Sequence, residues 1–236
     1  MEDIEKIKQN FVYAAKRAVD AGFEAIEIHM AHGYLAHSFL SPFSNKRTDA
    51  YGGDFKGRTR FSIETIKEVK SVLPEDYPLF VRISCDDYLP AGEGWDLDQS
   101  IRFAKLIKEL GVHLIDCSSG GNVSFSNKLF AFNNVDQVSQ AARIQAEANI
   151  STGAVGGIIS AHWAEKILQK KKATLIFIAR ASLDDPNWPM HAALELNANY
   201  IFPNQYVWSI SNQTSSGWRN QVLVGKNSKE LSLEED

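Results

Sequence analysis

The sequence predicts an α/β fold built on a parallel sheet, of the TIM (β/α)8-barrel class, and three observations point there. Five short apolar runs rich in β-formers recur along the chain: Ala25 to His29, Leu79 to Ser84, Leu114 to Ser118, Ile150 to Thr152 and Leu175 to Ile178. Amphipathic helical patterns fill the spaces between them, and strands that are apolar throughout and alternate with helices indicate a parallel sheet covered on both faces. Polar or glycine-rich residues follow every run: His29 and His32, Arg82 and Ser84, Ser118-Ser119-Gly120-Gly121, Thr152-Gly153, and Arg180. An open doubly wound sheet fits the alternation as well, but five consecutive strands delivering such groups at one end suit a barrel mouth better than a single crevice.

Each helix has its own justification. Phe11 to Ala21 sets Phe11, Ala14, Ala15, Ala18 and Val19 on one face, and Gly22 stops it. Phe61 to Leu73 repeats the period with Ile63, Ile66, Val69 and Val72, ending before Pro74. Leu97 to Leu110 turns Ile101, Ala104, Ile107 and Leu110 inward and stops at Gly111. Val135 to Ala148 and Ala161 to Leu168 are the last two well-marked helices. The chain is expected to comprise a barrel region over 1–202 and a polar C-terminal tail over 203–236, because Asn, Ser and Gln dominate beyond Leu196.

With 236 residues, 44% of them hydrophobic, there is enough chain for one domain with a full core. A formal charge of −4 leaves no basic footprint for nucleic acid or an anionic membrane. No apolar segment approaches the ~20 residues that span a bilayer, and the charged, helix-patterned M-E-D-I-E-K-I-K-Q-N-F start is not a signal peptide. Cys85 and Cys117 each end an apolar run and read as buried free thiols of a reducing compartment, so a cytoplasmic location is expected.

The chemistry concentrates between Ile26 and Gly53. An apolar run ends at His29, His32 follows three residues later, then Gly33 and Tyr34, then a long polar loop closed by Gly52-Gly53. H-x-x-H can present two nitrogens to zinc, which needs at least a third ligand, and His37 and Asp49 are the nearby candidates. Satisfied loop histidines without a catalytic role are the plain alternative. Arg82, in F-V-R-I-S, is a charge inside an apolar strand and requires an anionic partner, Glu27 or Asp116 if that partner is protein. In R-T-D-A-Y-G-G, Arg47 and Asp49 can lock the loop and Gly52-Gly53 permits the turn into the next helix. Arg58 and Arg60 are read as solvated or locally paired. Glycines after a strand, as in T-G-A-V-G-G, are often only turns.

The order of His29, His32, Gly33 and Tyr34, the string R-T-D-A-Y-G-G, the strand F-V-R-I-S and the stretch L-I-F-I-A-R-A-S-L-D-D-P resemble the Old Yellow Enzyme family of FMN-dependent ene-reductases, in its short bacterial-type branch. The resemblance covers residues 5 to 208. It implies a flavin-binding barrel represented by its strands four to eight, with strands one to three expected upstream of Met1. It implies an FMN-dependent NAD(P)H oxidoreductase, using NADPH or NADH as reductant. Activated C=C bonds of α,β-unsaturated carbonyl compounds would be reduced by hydride transfer through flavin N5. His29 and His32 would hydrogen-bond the carbonyl oxygen of a small enone or enal and draw charge from its double bond; Tyr34 would give a proton to the α carbon. Arg82 would face the N1 and O2 edge of the flavin. Gly156, Ala179 and Arg180 would hold its phosphate, at the seventh and eighth strands where this barrel class binds phosphate. No metal is implied.

Departures from the family pattern accompany these matches. Met30 stands where glycine or alanine is usual, Ala179 where glycine precedes the phosphate arginine, and Gly57 where asparagine is customary. The Gln205 to Trp208 stretch is similar to the branch's C-terminal motif, with Trp208 in place of an arginine. The other reading is a catalytically inactive barrel piece without flavin, serving as an interaction module. Its open strand edges would favour a homo-oligomer. An aldolase-type phosphate barrel would need a strand-end lysine, and the five strands contain none.

Overall fold

The computed structural model describes residues 2–123 and 136–198. The order is α1 (Glu2–Asp20), β1 (Ile26–Met30), α2 (Leu35–Leu40), α3 (Phe55–Lys70), β2 (Leu79–Ser84), α4 (Leu97–Lys108), β3 (Leu114–Ser118), α5 (Gln137–Ala148), β4 (Ser151–Ala154), α6 (Ala161–Gln169), β5 (Leu175–Ile176), α7 (Arg180–Asp184) and α8 (Trp188–Glu195). The chain divides into two compact units, Met1–Ile158 with Glu165–Ile178, and Ile159–Ala164 with the chain from Ala179 onward. The first carries all five strands.

Those strands form one parallel sheet in the sequential order β1-β2-β3-β4-β5. A doubly wound sheet reverses its strand order at a switch point; sequential order without reversal is the arrangement of consecutive barrel strands. The register aligns His29 with Arg82, Arg82 with Asp116, and Asp116 with Gly153. Since neighbours in register share a face, these residues form one transverse row. Ser84 and Ser118 form the start of the next row, at the C-terminal edge.

The opposite face packs against helices. Ile28, Met30, Val81, Ile83, Ile115, Cys117 and Ala154 are buried there, and Phe61, Ile66, Val69, Ile107 and Ile144 supply the helical side of the core. The helices start and stop as their residues direct: Asp54, Asp96 and Asp136 cap α3, α4 and α5 by accepting from the backbone N–H three residues on, and Gly22 and Gly111 follow α1 and α4 in the left-handed region.

Three sequence expectations need correction. α1 begins at Glu2 instead of Phe11, and its buried stripe is Ile4, Lys8, Val12 and Ala15, with Ala14 exposed. A lysine can occupy that stripe because Lys8 Nζ bonds Glu64 at 2.8 Å and also meets Glu5 and Glu68; desolvation would lower its pKa, but these carboxylates outweigh burial and raise it. α3 begins at Phe55, six residues before the expected start, where the Asp54 cap outweighs the weak helix propensity of Gly57. The loop after His32 holds a helix, α2, and the region after Arg180 holds α7 and α8; all three are too short for periodicity to reveal. β2 and β3 have the expected spans, and the bounds of β1, β4 and β5 differ from expectation by one or two residues. Val135, the 203–236 tail and the Gln205 to Trp208 stretch lie outside the described residues.

Candidate functional site

The C-terminal edge of the sheet assembles the site. His29 lies on β1, and the chain then turns through His32, whose φ is 58°, before entering α2 at Tyr34. This turn brings three rings together: His29 and His32 centroids are 5.2 Å apart, and His29 and Tyr34 5.3 Å apart. Tyr34 is exposed and Met30, between the histidines, is fully buried on the helix side, so its bulk does not enter the cluster.

Two strand-terminal serines fix His32. Ser84 Oγ accepts the His32 backbone N–H at 2.9 Å and donates to the Gly120 carbonyl at 2.7 Å. Ser118 Oγ sits 2.6 Å from His32 Nε2. Glycines make the close approach possible: a Cβ at Gly33 would stand 2.3 Å from the Gly121 carbonyl oxygen, and one at Gly121 would stand 2.4 Å from His32 Cα.

His37 anchors the same loop from below. Its Nδ1 accepts the Gly33 N–H at 2.9 Å, and its Nε2 lies 3.1 Å from Asp87 Oδ1, with both side chains fully buried. Asp87 also accepts from the Ser41 hydroxyl at 2.5 Å and the Trp95 N–H at 2.9 Å. Burial pushes the Asp87 carboxyl up, but the adjacent His37 and the hydrogen bonds from Ser41 and Trp95 outweigh it and hold the group below its ordinary range; the His37 Nε2 contact itself is not aligned as a hydrogen bond. His37 is thus spent on the loop, and no cluster of three metal-ligating side chains occurs among the described residues.

Burial lowers the pKa of both site histidines, and the Arg82 charge adds to it; His32 falls to about 4. At neutral pH both rings are uncharged and act as hydrogen-bonding groups, not as cations. Arg82 Nε stands 3.2 Å from Asp116 Oδ2, fulfilling the Asp116 alternative for its partner. The contact is poorly aligned, so Nε and both Asp116 oxygens lack a hydrogen bond. The Arg82 Nη groups bond no described residue, and the side chain retains 26% exposure. Asp116 is fully buried and is pushed up to about 7 by desolvation, with Glu27 adding to the rise and Arg82 opposing it.

Gly156 is in the first unit with φ 109°, and the Gln137 side chain lies against it so closely that a Cβ would overlap the amide. Ala179 and Arg180 belong to the second unit, where Ala179 caps α7 and Arg180 opens it, both exposed. The R-T-D string closes its own loop: Arg47 Nε donates to Asp49 Oδ1 at 3.0 Å, and the same oxygen accepts the Tyr51 N–H at 3.1 Å. Arg58 is buried, against the expectation of a solvated or local role; it donates to the Leu40 carbonyl at 2.8 Å and the Gly53 carbonyl at 2.7 Å, tying both ends of the loop to α3. Cys85 and Cys117 are free and buried, as expected.

Sequence reasoning thus brought His29, His32, Tyr34 and Arg82 to one region. It read Ser84 and Ser118 only as punctuation, gave His37 no role beyond a metal alternative, and missed Asp87. Aligning F-V-R-I-S with L-I-D-C-S as parallel neighbours would have paired both serines and both charges.

Comparison with known proteins adds the rest. The family described as NADH:flavin oxidoreductase / NADH oxidase matches residues 1–199. An NADPH dehydrogenase of Bacillus velezensis is 51% identical over 205 residues, 87% of this chain and 59% of that protein. The NADPH dehydrogenase of Bacillus subtilis is 50% identical over the same shares. The chain therefore spans 59% of the length of these curated relatives. A 2-naphthoyl-CoA reductase complex superposes with a TM-score of 0.73 at 23% identity, over 84% of this chain and 30% of that one. Morphinone reductase in complex with tetrahydroNAD gives 0.65 at 21% identity, over 87% and 53%. These likenesses carry the fold, an α/β TIM (β/α)8 barrel of which the described residues cover part. With most of its length matched by the family and half of the 205 aligned residues identical in those relatives, the chain belongs to the NADH:flavin oxidoreductase / NADH oxidase family.

Proposed function

We propose that the chain is the catalytic part of an FMN-dependent NAD(P)H oxidoreductase that reduces the activated C=C bond of α,β-unsaturated carbonyl compounds. The observation that carries this reading is the cluster of His29, His32 and Tyr34, with rings 5.2 and 5.3 Å apart, next in register to an arginine whose Nη groups bond no described residue. The residues suit a flavin: the two Arg82 Nη amino groups, which bond no described residue, are donors of the kind an anionic pyrimidine edge requires, and Nε and Asp116 behind them are buried and unsatisfied. For the flavin phosphate, Ala179 and Arg180 are the proposed contacts of the second unit, and Gly156 is proposed by itself on the first.

Bound FMN supplies the hydride chemistry, with NADPH or NADH as reductant. The chain's residues do the rest. Neutral imidazoles at His29 and His32 donate hydrogen bonds to the enone or enal oxygen, where negative charge grows as the double bond is attacked. Tyr34 stands at the mouth of the loop, exposed, where its phenol can give a proton to the carbon α to the carbonyl. Arg82 would hold positive charge against the edge of a bound flavin, with the buried Asp116 carboxyl 3.2 Å from its Nε.

The test is anaerobic product analysis: the full chain with FMN, NADPH and 2-cyclohexen-1-one yields cyclohexanone, and Tyr34→Phe slows its formation about 10²-fold. NADPH consumption without cyclohexanone would reject the ene-reductase assignment. A second reading is a non-catalytic interaction module that associates with copies of itself. In its favour, β1 and β5 are the edge strands among the described residues, and Leu175 is 42% exposed. Sedimentation velocity distinguishes a monomer from a homo-oligomer, and flavin retention separates the two readings.

A further inference from the structure

Every site hydroxyl has one proton to give, and Ser118 has one place to put it. Ser118 is 4% exposed. Among the described residues, two side-chain groups lie near its Oγ: His32 Nε2 at 2.6 Å and the Gln137 amide at 3.5 Å. That amide is already engaged, since its nitrogen donates to the Val155 carbonyl at 2.6 Å and its oxygen accepts the Ser119 N–H at 3.0 Å. The contact of 3.5 Å is at the limit of a hydrogen bond and cannot compete with one of 2.6 Å.

We propose that Ser118 sets the tautomer of His32. Its hydroxyl donates to Nε2, which leaves the single imidazole proton on Nδ1 and makes that N–H the group offered to a substrate carbonyl oxygen. In the opposite arrangement, with Nε2–H donating to Ser118, the serine proton would be buried without an acceptor at ordinary length. Ser84 shows the division of labour: its proton is committed to the Gly120 carbonyl, so it can only accept from the His32 backbone. The ring is uncharged at neutral pH, so it has one N–H, and the partner of one nitrogen decides which.

Ser118 is therefore a positioning residue acting through His32. The consequence for catalysis rests on the ene-reductase reading; the tautomer itself does not. Free neutral histidine favours Nε2–H, so the serine enforces the less common form. A donor at Nδ1 selects an acceptor atom on the substrate, which a ketone or aldehyde oxygen provides and an ammonium group does not.

The test is a two-bond proton–nitrogen correlation spectrum of the full chain, labelled with 15N-histidine and recorded near neutral pH before any FMN is added. His32 is assigned by the signals lost in His32→Gln. The expected pattern has Nδ1 protonated and Nε2 bare. Ser118→Ala should invert it, and Ser118→Thr, which keeps the hydroxyl, should restore it. A wild-type pattern with Nε2 protonated overturns the proposal, as does a Ser118→Ala pattern identical to wild type. If Ser118→Ala does not fold, the wild-type spectrum and the threonine variant still decide. Failure of the reductase reading would show separately, as absence of retained flavin or of cyclohexanone.

Discussion

Gly121 lies so close beneath His32 that a Cβ on it would stand 2.4 Å from His32 Cα and 2.6 Å from its carbonyl carbon. Two loops from adjoining regions of the sheet edge meet backbone to backbone there. His32 is held from three sides: by this contact, by Ser84 on its main chain and by Ser118 on its ring. Close backbone packing of this kind leaves the imidazole little freedom.

Gly121→Ala should therefore be more damaging than an alanine at Gly53. Both glycines have positive φ, 92° and 75°, but nothing lies within 4 Å of a Cβ at Gly53. Strain alone costs about 1–3 kcal/mol, and the backbone overlap adds to it at Gly121. Urea denaturation should rank the variants Gly121→Ala below Gly53→Ala below wild type, and equal midpoints would count against the contact.

Asp116 and His32 should pull the pH dependence of stability in opposite directions. Asp116 rises from 3.8 to about 7 on folding, so between those values the folded chain keeps a proton that the unfolded chain has lost, and stability falls as pH rises. His32 drops from 6.5 to about 4, so between those values the unfolded chain holds the extra proton, and stability rises with pH. Each slope is at most about 1.4 kcal/mol per pH unit, and they offset from about pH 4 to 6.5. Asp116→Asn should unmask a rise in denaturation midpoint across this window, and His32→Gln a fall. Unchanged profiles in both variants would contradict the assigned directions.

Asp87→Ala should destabilise by about 3–5 kcal/mol, because it leaves His37, the Ser41 hydroxyl and the Trp95 N–H buried without their acceptor. Asp49→Ala, on the exposed Arg47 pair, should cost far less, because solvent screens that pair. Calorimetry on the two variants checks the contrast.

Arg82→Met should weaken FMN binding by about 10–100-fold, the equivalent of losing one charge-assisted hydrogen bond or slightly more. Asp116 would then stay buried beside an uncharged neighbour and bind its proton more tightly. Quenching of flavin fluorescence measures the affinity, and wild-type affinity in the variant would remove Arg82 from the proposed flavin site.

Much of this architecture is written in local pattern. The five apolar runs and their helices follow from periodicity, because each element buries one face against the next. The grouping of His29, His32 and Tyr34 follows from their spacing within one loop. What escaped was non-local. Ser118 meets His32 across 86 positions of sequence, and Arg58 turned inward because the carbonyls of Leu40 and Gly53 needed donors. Lys8 sat unnoticed in a buried stripe because its three carboxylates come partly from α3. Short helices such as α2 and α7 have no side-chain N-cap and too few turns for their period to reveal them.

The most direct measurement is the visible absorption spectrum of the purified chain after addition of FMN, removal of excess, and anaerobic addition of NADPH. The account predicts a retained flavin band that NADPH bleaches. A colourless protein, or a retained band that NADPH leaves intact, would contradict it.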